Sequence, residues 1–229
     1  MELLDVLRST GAVRAFLPDA VDDATLWRIL DAARFAPSGG NRQAWRVVVL
    51  RDPARRAALR DLYLGPWYEY LAQGAAGLVP WAPVTDRAAE AAAVAGAGAF
   101  ADAAGEGGFA EHLDEVPALL VVLGDLRALA AVDRDLERYG FVGGASLYPF
   151  VWSILLAARA EGLAGVMTTM AVRREAEVRS LLGAPDHLAV AAVVALGRPV
   201  HQPRRLTRRP VEAFTTVDAV DGPGLSGPG

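Results

Sequence analysis

Ala36-Pro37-Ser38-Gly39-Gly40-Asn41-Arg42-Gln43-Ala44-Trp45, running on into Arg46-Val47-Val48-Val49-Leu50, is the stretch that decides how this chain folds. Upstream, Asp22 or Asp23 caps a helix whose Leu26, Ile29, Leu30 and Ala33 share one face, and Pro37 ends it. Downstream, the short apolar run to Leu50 suits a buried strand. Between the two, Gly39 and Gly40 permit backbone angles closed to other residues, while Ser38, Asn41 and Gln43 offer neutral donors and acceptors. The loop holds no acid, base or thiol. It suits a polar, planar ligand held by hydrogen bonds, with a cofactor supplying the chemistry.

Helices alternate with few strands on either side of this junction. Glu2 to Thr10 reads as a short helix with Leu3, Leu4 and Leu7 on one face, and Asp52-Pro53 opens a helix expected to reach Tyr68. Residues 64–115 differ in texture: Gly65-Pro66-Trp67 and Gly77 to Trp81 read as aromatic-bearing breaks, Arg87 to Ala95 as an alanine-rich helix, and Gly105 to Gly108 as a loop. The segment carries too little aliphatic surface to fold alone, so it reads as an excursion from the core. Ala118 to Leu123 and Leu188 to Leu196 are further strands, Gly165 to Thr169 a strand or turn, and Glu175 to Leu182 a helix ended by Gly183. Gly143 to Leu163 is apolar all round and reads as a central helix, started or kinked by Pro149. The pattern predicts an α+β fold in one domain over 1–220, a small mixed sheet flanked by helices. Val211 to Val217 reads as strand-like, and 221–229 as a flexible Gly/Pro-rich tail.

Composition excludes several chemistries. The 229 residues include no cysteine and no lysine, which removes disulfides, thiolate nucleophiles, iron–sulfur clusters and Schiff bases; all 23 basic residues are arginine. His112, His187 and His201 are too scattered to suggest a metal site and read as structural or surface residues. A net charge of -4 argues against nucleic acid as a partner. The apolar runs are too broken to cross a membrane, and the N-terminal residues lack an export pattern, so the expectation is cytoplasmic.

Six motifs in order carry a resemblance. They are Arg14-Ala15-Phe16, the Ala36 to Trp45 loop, the strand after it, Ala157-Ala158-Arg159-Ala160-Glu161-Gly162-Leu163, Gly165-Val166-Met167-Thr168-Thr169, and Leu196-Gly197-Arg198-Pro199 followed by Arg208-Arg209-Pro210. Together they resemble the nitroreductase-like flavoprotein family across nearly the whole chain, 64–115 excepted.

The resemblance implies a homodimer with FMN in two sites shared across the interface, and a C-terminal extension wrapping the partner subunit. It assigns flavin contacts to Arg14, Pro37, Ser38, Gly39, Asn41 and Gln43, to Val166, Met167 and Thr168, and to Arg205 and Arg208. It also implies ping-pong hydride transfer through flavin N5, with NADPH or NADH as reductant and a nitroaromatic, quinone-like or other conjugated small molecule as acceptor. No protein residue would then be catalytic. Trp67, Tyr68, Tyr70 and Trp81 are expected to line the substrate pocket or to pack the excursion, whereas Trp45 reads as core. Arg204 reads as a solvated tail residue. One departure stands out: the family's basic and hydroxyl residues before Arg14 are replaced by Thr10-Gly11-Ala12. A specialised flavin-dependent dehydrogenase or oxidase of a biosynthetic pathway, and a flavin-binding protein without turnover, are the alternative readings.

Overall fold

The computed structural model describes residues 2–225 and 227. One sheet holds β1 (Trp45–Leu50), β2 (Ala118–Asp125), β3 (Ala164–Thr168) and β4 (Leu188–Gly197), in the order β1-β2-β4-β3. Around it lie α1 (Leu3–Ser9), α2 (Asp23–Ala33), α3 (Pro53–Ala75), α4 (Arg87–Ala95), α5 (Gly98–Asp102), α6 (Tyr148–Ala160) and α7 (Glu175–Leu182). Every pairing in the sheet is antiparallel, which corrects the expected mixed sheet. Strands β2 and β3 do run in the same direction, but β4 enters between them, and β2 likewise separates the co-directional β1 and β4.

The two central strands explain the apolar runs. All eight residues of β2 and the last eight of β4 are buried, because helices cover both faces. Leu120 and Val122 of β2 point toward Leu26 and Ile29 of α2 and Ile154 of α6. Their neighbours Leu119, Val121 and Leu123 point the other way, toward Leu59 and Tyr63 of α3 and Val178 of α7. The period of two thus builds two cores on one sheet, and a slip of one residue would exchange them. A bulge at Ala191 interrupts the β2–β4 register, and its carbonyl accepts a hydrogen bond from Tyr148 Oη at 3.4 Å.

Local signals account for most helix ends. Asp22 caps α2 by accepting from the Thr25 amide, Asp52 caps α3 through the Arg55 amide, and α7 closes at Gly183. Trp45 is core as expected, stacked on Phe150 with centroids 4.6 Å apart. Pro149 lies in the first turn of α6, and the expected long helix over 143–163 divides into a 3-10 stretch, Val142–Ser146, and α6 itself.

Two further expectations fail. Gly65-Pro66 does not break α3, which continues to Ala75 with Pro66 buried inside it; tertiary packing outweighs the lost amide. Nor is 211–217 a strand: Val211–Ala213 is a 3-10 turn, and only Thr216 makes a bridge, to Gly224. Of the tail expected over 221–229, Ser226, Pro228 and Gly229 lie outside the described residues.

Helices α4 and α5 bury no residue fully and pack against α3. The turn leading to them is pinned from inside, where the fully buried Gln73 accepts the Trp81 amide on its side chain and the Leu78 amide on its carbonyl. Among the described residues, no helix is long and apolar enough to cross a membrane.

Candidate functional site

The expected site residues fall into three groups. The first surrounds Arg14. Residues 13–17 run beside the end of β4 and the start of the tail: the Val13 amide donates to Gly165, the Leu17 amide to Arg198, and the Val200 amide to Ala15. This pairing sets Val13 beside the start of β3, and the Arg14 cation is near enough to act on Tyr63, which meets the far end of that strand. There Tyr63 Oη and Thr168 Oγ1 share a hydrogen bond of 3.0 Å. Burial pushes the Tyr63 phenol above its ordinary range, and the Thr168 bond and the nearby Arg14 cation oppose that without cancelling it. Arg14 and Ala15 line a cavity of about 600 Å³ whose other walls are Trp67, Phe109 and Glu111. Val166 is buried on the α3 side of β3, and the Met167 side chain is exposed.

The second group is the loop at 37–43. It is a tight hook: Gly40, Asn41 and Gln43 have φ of 59°, 52° and 49°, and two of these carry side chains that rarely adopt such angles. Ser38 Oγ accepts the Gln43 amide at 3.0 Å, Gln43 Nε2 donates to Asn41 Oδ1 at 3.1 Å, and Ser146 Oγ accepts the Gly39 amide. Pro37, Asn41 and Gln43 stay exposed. This hook precedes β1, whereas Thr168 ends β3 on the opposite edge. Three strand spacings, roughly 14 Å, separate the two edges. Among the described residues, no hydrogen bond joins the hook to Arg14, to 166–168 or to the tail.

The third group is the tail. Leu206 donates its amide to the Arg8 carbonyl, and Gln202 Nε2 donates to the Ser9 carbonyl, so 202–206 lies on the end of α1. Arg205 and Arg208 line a cavity of about 1430 Å³ there, together with Arg8, Arg159 and Arg204. Arg204 is exposed, as expected of a solvated tail residue.

The four aromatic residues divide. Trp67 and Tyr70 stack at 5.5 Å, Tyr63 extends the row at one end, Trp81 at the other, and Arg173 lies 5.2 Å over the Trp81 ring. Tyr68 points elsewhere and donates to Glu111 Oε1. Burial alone would raise the Glu111 carboxyl, but the Gly108 amide and the Tyr68 hydroxyl outweigh it and hold it below its ordinary value. Only Trp67 of the four reaches the cavity of Arg14. Sequence reasoning missed Tyr63, Ser146 and Arg159. The spacing 63, 67, 70 was a signal of one helical face, hidden by reading Gly65-Pro66 as a break.

A four-stranded antiparallel sheet between two helical layers is the fold of a known class. The chain belongs to the Nitroreductase family, whose model matches residues 7–198. In particular, it is 33% identical over 212 residues to an NADH dehydrogenase of Thermus thermophilus, a match covering 88% of each chain. Its fold is similar to an oxidised iodotyrosine deiodinase bound to FMN and 3-iodo-L-tyrosine, at TM-score 0.61 and 22% identity over 92% of this chain and 96% of the other. It is also similar to an NADPH:FMN oxidoreductase of Vibrio harveyi complexed with NAD+, at TM-score 0.63 and 19% identity over 97% and 77%.

Proposed function

We propose that the protein is an FMN-dependent NAD(P)H oxidoreductase that works as a homodimer and reduces nitroaromatic, quinone-like or other conjugated acceptors. The observation that carries this reading is Arg14. The residue before it is tied to β3, it lines a cavity walled by Trp67, and among the described residues it has no carboxylate partner. A cation so placed is free to meet an anionic or electron-rich ligand.

The residues present fit FMN. Flavin needs donors along its polar ring edge and a cation where reduction places negative charge; exposed Asn41 and Gln43 amides and Arg14 are of these types. Bound FMN would supply hydride acceptance and release at N5. The chain's own work is then binding and exclusion of water. Arg14 opposes the negative charge that gathers on the pyrimidine edge, Asn41 and Gln43 orient the ring, and Trp67 offers a flat apolar wall to an acceptor. The Tyr63 phenol keeps its proton at neutral pH and positions Thr168.

The split supports the homodimer. Hook and Arg14 sit on opposite sheet edges of one chain, so a two-fold pairing is what would bring the hook of one subunit to Arg14 of the other. Apolar groups suited to such an interface are exposed: Leu3, Leu4 and Leu7 on α1, Trp27 on α2, Phe35 and Trp152. The tail from 209 onward carries exposed Phe214 and Val217 and is the segment that would wrap the partner.

An absorption spectrum of the purified protein tests the reading. An oxidised-flavin spectrum, bleached by anaerobic NADH or NADPH and restored by a nitroaromatic or quinone, is expected. A colourless protein that fails to take up added FMN would overturn it.

A further inference from the structure

The cavity in front of Arg14 carries two opposite charges that do not meet. Arg14 and Glu111 both line its volume of about 600 Å³, with Trp67 and Phe109 as apolar walls. Among the described residues neither side chain enters an ion pair, with the other or with anything else. Both charges reach the Tyr63 phenol: beyond burial and the bond to Thr168, Arg14 draws its pKa down and Glu111 draws it up. A cation and an anion kept apart across one cavity are each open to a ligand.

Glu111 is the fixed member of the two. The Gly108 amide donates to its Oε2 at 2.7 Å and the Tyr68 hydroxyl to its Oε1 at 3.1 Å. The preceding loop wraps it so closely that position 107 takes glycine: φ there is 75°, and a Cβ would run into the Cβ and Cγ of Glu111. Those two donors also overcome burial and keep the carboxyl ionised at neutral pH. They occupy half of the roughly four lone-pair positions of a carboxylate, so each oxygen retains accepting capacity. The adjacent His112 is engaged elsewhere, its ring bonded to the Glu106 carbonyl and the Glu115 carboxylate.

The flavin reading above, on which the inference rests, commits Arg14 to the electron-rich edge of the cofactor. Glu111 is then the remaining formal charge among the residues that line the cavity. We infer that Glu111 selects the acceptor, and that the protein prefers a flat conjugated molecule bearing an ammonium or amidinium group over a neutral or anionic one of the same size. The aromatic part of such a molecule has Trp67 to lie on. Its cation has the carboxylate, and the faces of Trp67 and Phe109 add attraction of the same sign. A carboxylate on the acceptor meets Glu111 as a like charge, and that repulsion discriminates as much as the attraction does. Glu111 is a specificity residue, with no part in the hydride step.

The test compares three nitroaromatic acceptors of similar size at neutral pH: para-nitrobenzylamine, para-nitrobenzyl alcohol and para-nitrobenzoate. With the holoenzyme, kcat/KM for the amine is expected to exceed that for the alcohol roughly tenfold, the scale of one charge-assisted contact, and the benzoate to fall below both. Glu111→Gln keeps an acceptor for the Gly108 amide and a partner for Tyr68 but removes the charge, so the amine-to-alcohol ratio collapses toward unity. Glu177→Gln, the same charge change on the exposed side of α7, keeps the wild-type ratio. Calorimetry with benzylamine, which is not reduced, gives a readout free of turnover: binding weakens roughly tenfold in E111Q, and added salt weakens it in the wild type. Should E111Q fold poorly, the wild-type acceptor order and its salt dependence decide. The inference falls if the wild type reduces the three acceptors alike or favours the benzoate, or if a folded E111Q keeps the wild-type preference. Failure of the flavin reading looks different: no acceptor is reduced at all, and benzylamine binding by wild type and E111Q alone then decides the preference of the cavity.

Discussion

Among the described residues no carboxylate neutralises Arg14. Most arginines of this lysine-free protein are spent on carboxylates or carbonyls, as Arg28 is on Glu161 and Arg56 on the carbonyls of Asp114 and Val116. Arg14 instead fronts a cavity beside Trp67. Replacing it by glutamine keeps a polar side chain of similar reach and removes the charge, so the FMN dissociation constant is expected to rise by roughly tenfold, the scale of one charge-assisted contact. The reduction potential of the bound flavin should fall as well, since its reduced form loses a nearby cation. Titration of the stripped variant with FMN and a dye-coupled potential measurement check both; wild-type values would show that Arg14 is a surface residue of the monomer. Phe16 and the Arg-rich tail were readable around this arginine in the sequence. Its neighbour Tyr63 was not, because it approaches from α3, some fifty positions away, whereas Thr168 entered the candidate site through the family resemblance.

Among the elements, α3 shows how context overrides local preference. Proline inside a helix costs about 3 kcal/mol, and Gly65-Pro66 reads as a stop. The helix continues because Tyr63, Trp67 and Tyr70 stack along one face and Pro66 itself is buried. Its C-terminal half then carries Gln73 inward, where the side chain replaces a backbone partner for Trp81, itself at φ 52°. Gln73→Leu leaves that amide unpaired and is expected to destabilise the protein by about 1–3 kcal/mol. Faster amide exchange should be confined to residues 77–81, and unchanged exchange there would refute the role. By contrast, α2, α4 and α7 needed no tertiary information. An aspartate cap and helical spacing mark α2, alanine-rich composition marks α4, and the stop at Gly183 marks α7; their bounds match the expected ones to within a residue or so.

At the scale of the molecule, two properties are testable. Asp125 is held well below the usual carboxylate range by Arg127, and Asp133 is held down by the Phe141 and Val142 amides and by Arg138, against the burial that opposes both. A carboxyl with a depressed folded pKa stabilises the fold above its unfolded value and loses that contribution as pH falls through the folded value. Denaturant midpoints should therefore be level near neutrality and decline below about pH 4, the unfolded range of aspartate. Asp133→Asn should be less stable at neutral pH and show a shallower acid decline; an unchanged acid profile would remove Asp133 from the account. The second property is assembly. Sedimentation should give twice the chain mass of 24.1 kDa, and Trp152→Glu should shift the protein toward monomer with loss of flavin. A monomeric wild type that still binds FMN would show that one chain completes the site by itself.

The sequence by itself determined the elements. The uninterrupted apolar runs of β2 and β4, the helical spacing of α2, the glycine stop of α7 and the loop from Pro37 to Gln43 are local signals, set by side chains a few residues apart. It also determined the class, since six motifs in order survive without coordinates. Only the tertiary structure decided that β4 lies between β2 and β3, that the hook and Arg14 occupy opposite edges of the sheet, and that the tail lies on α1 where Gly11 makes room. Those outcomes depend on pairing and packing between residues far apart in the chain. Their energy comes from shared buried surface, which no local pattern encodes.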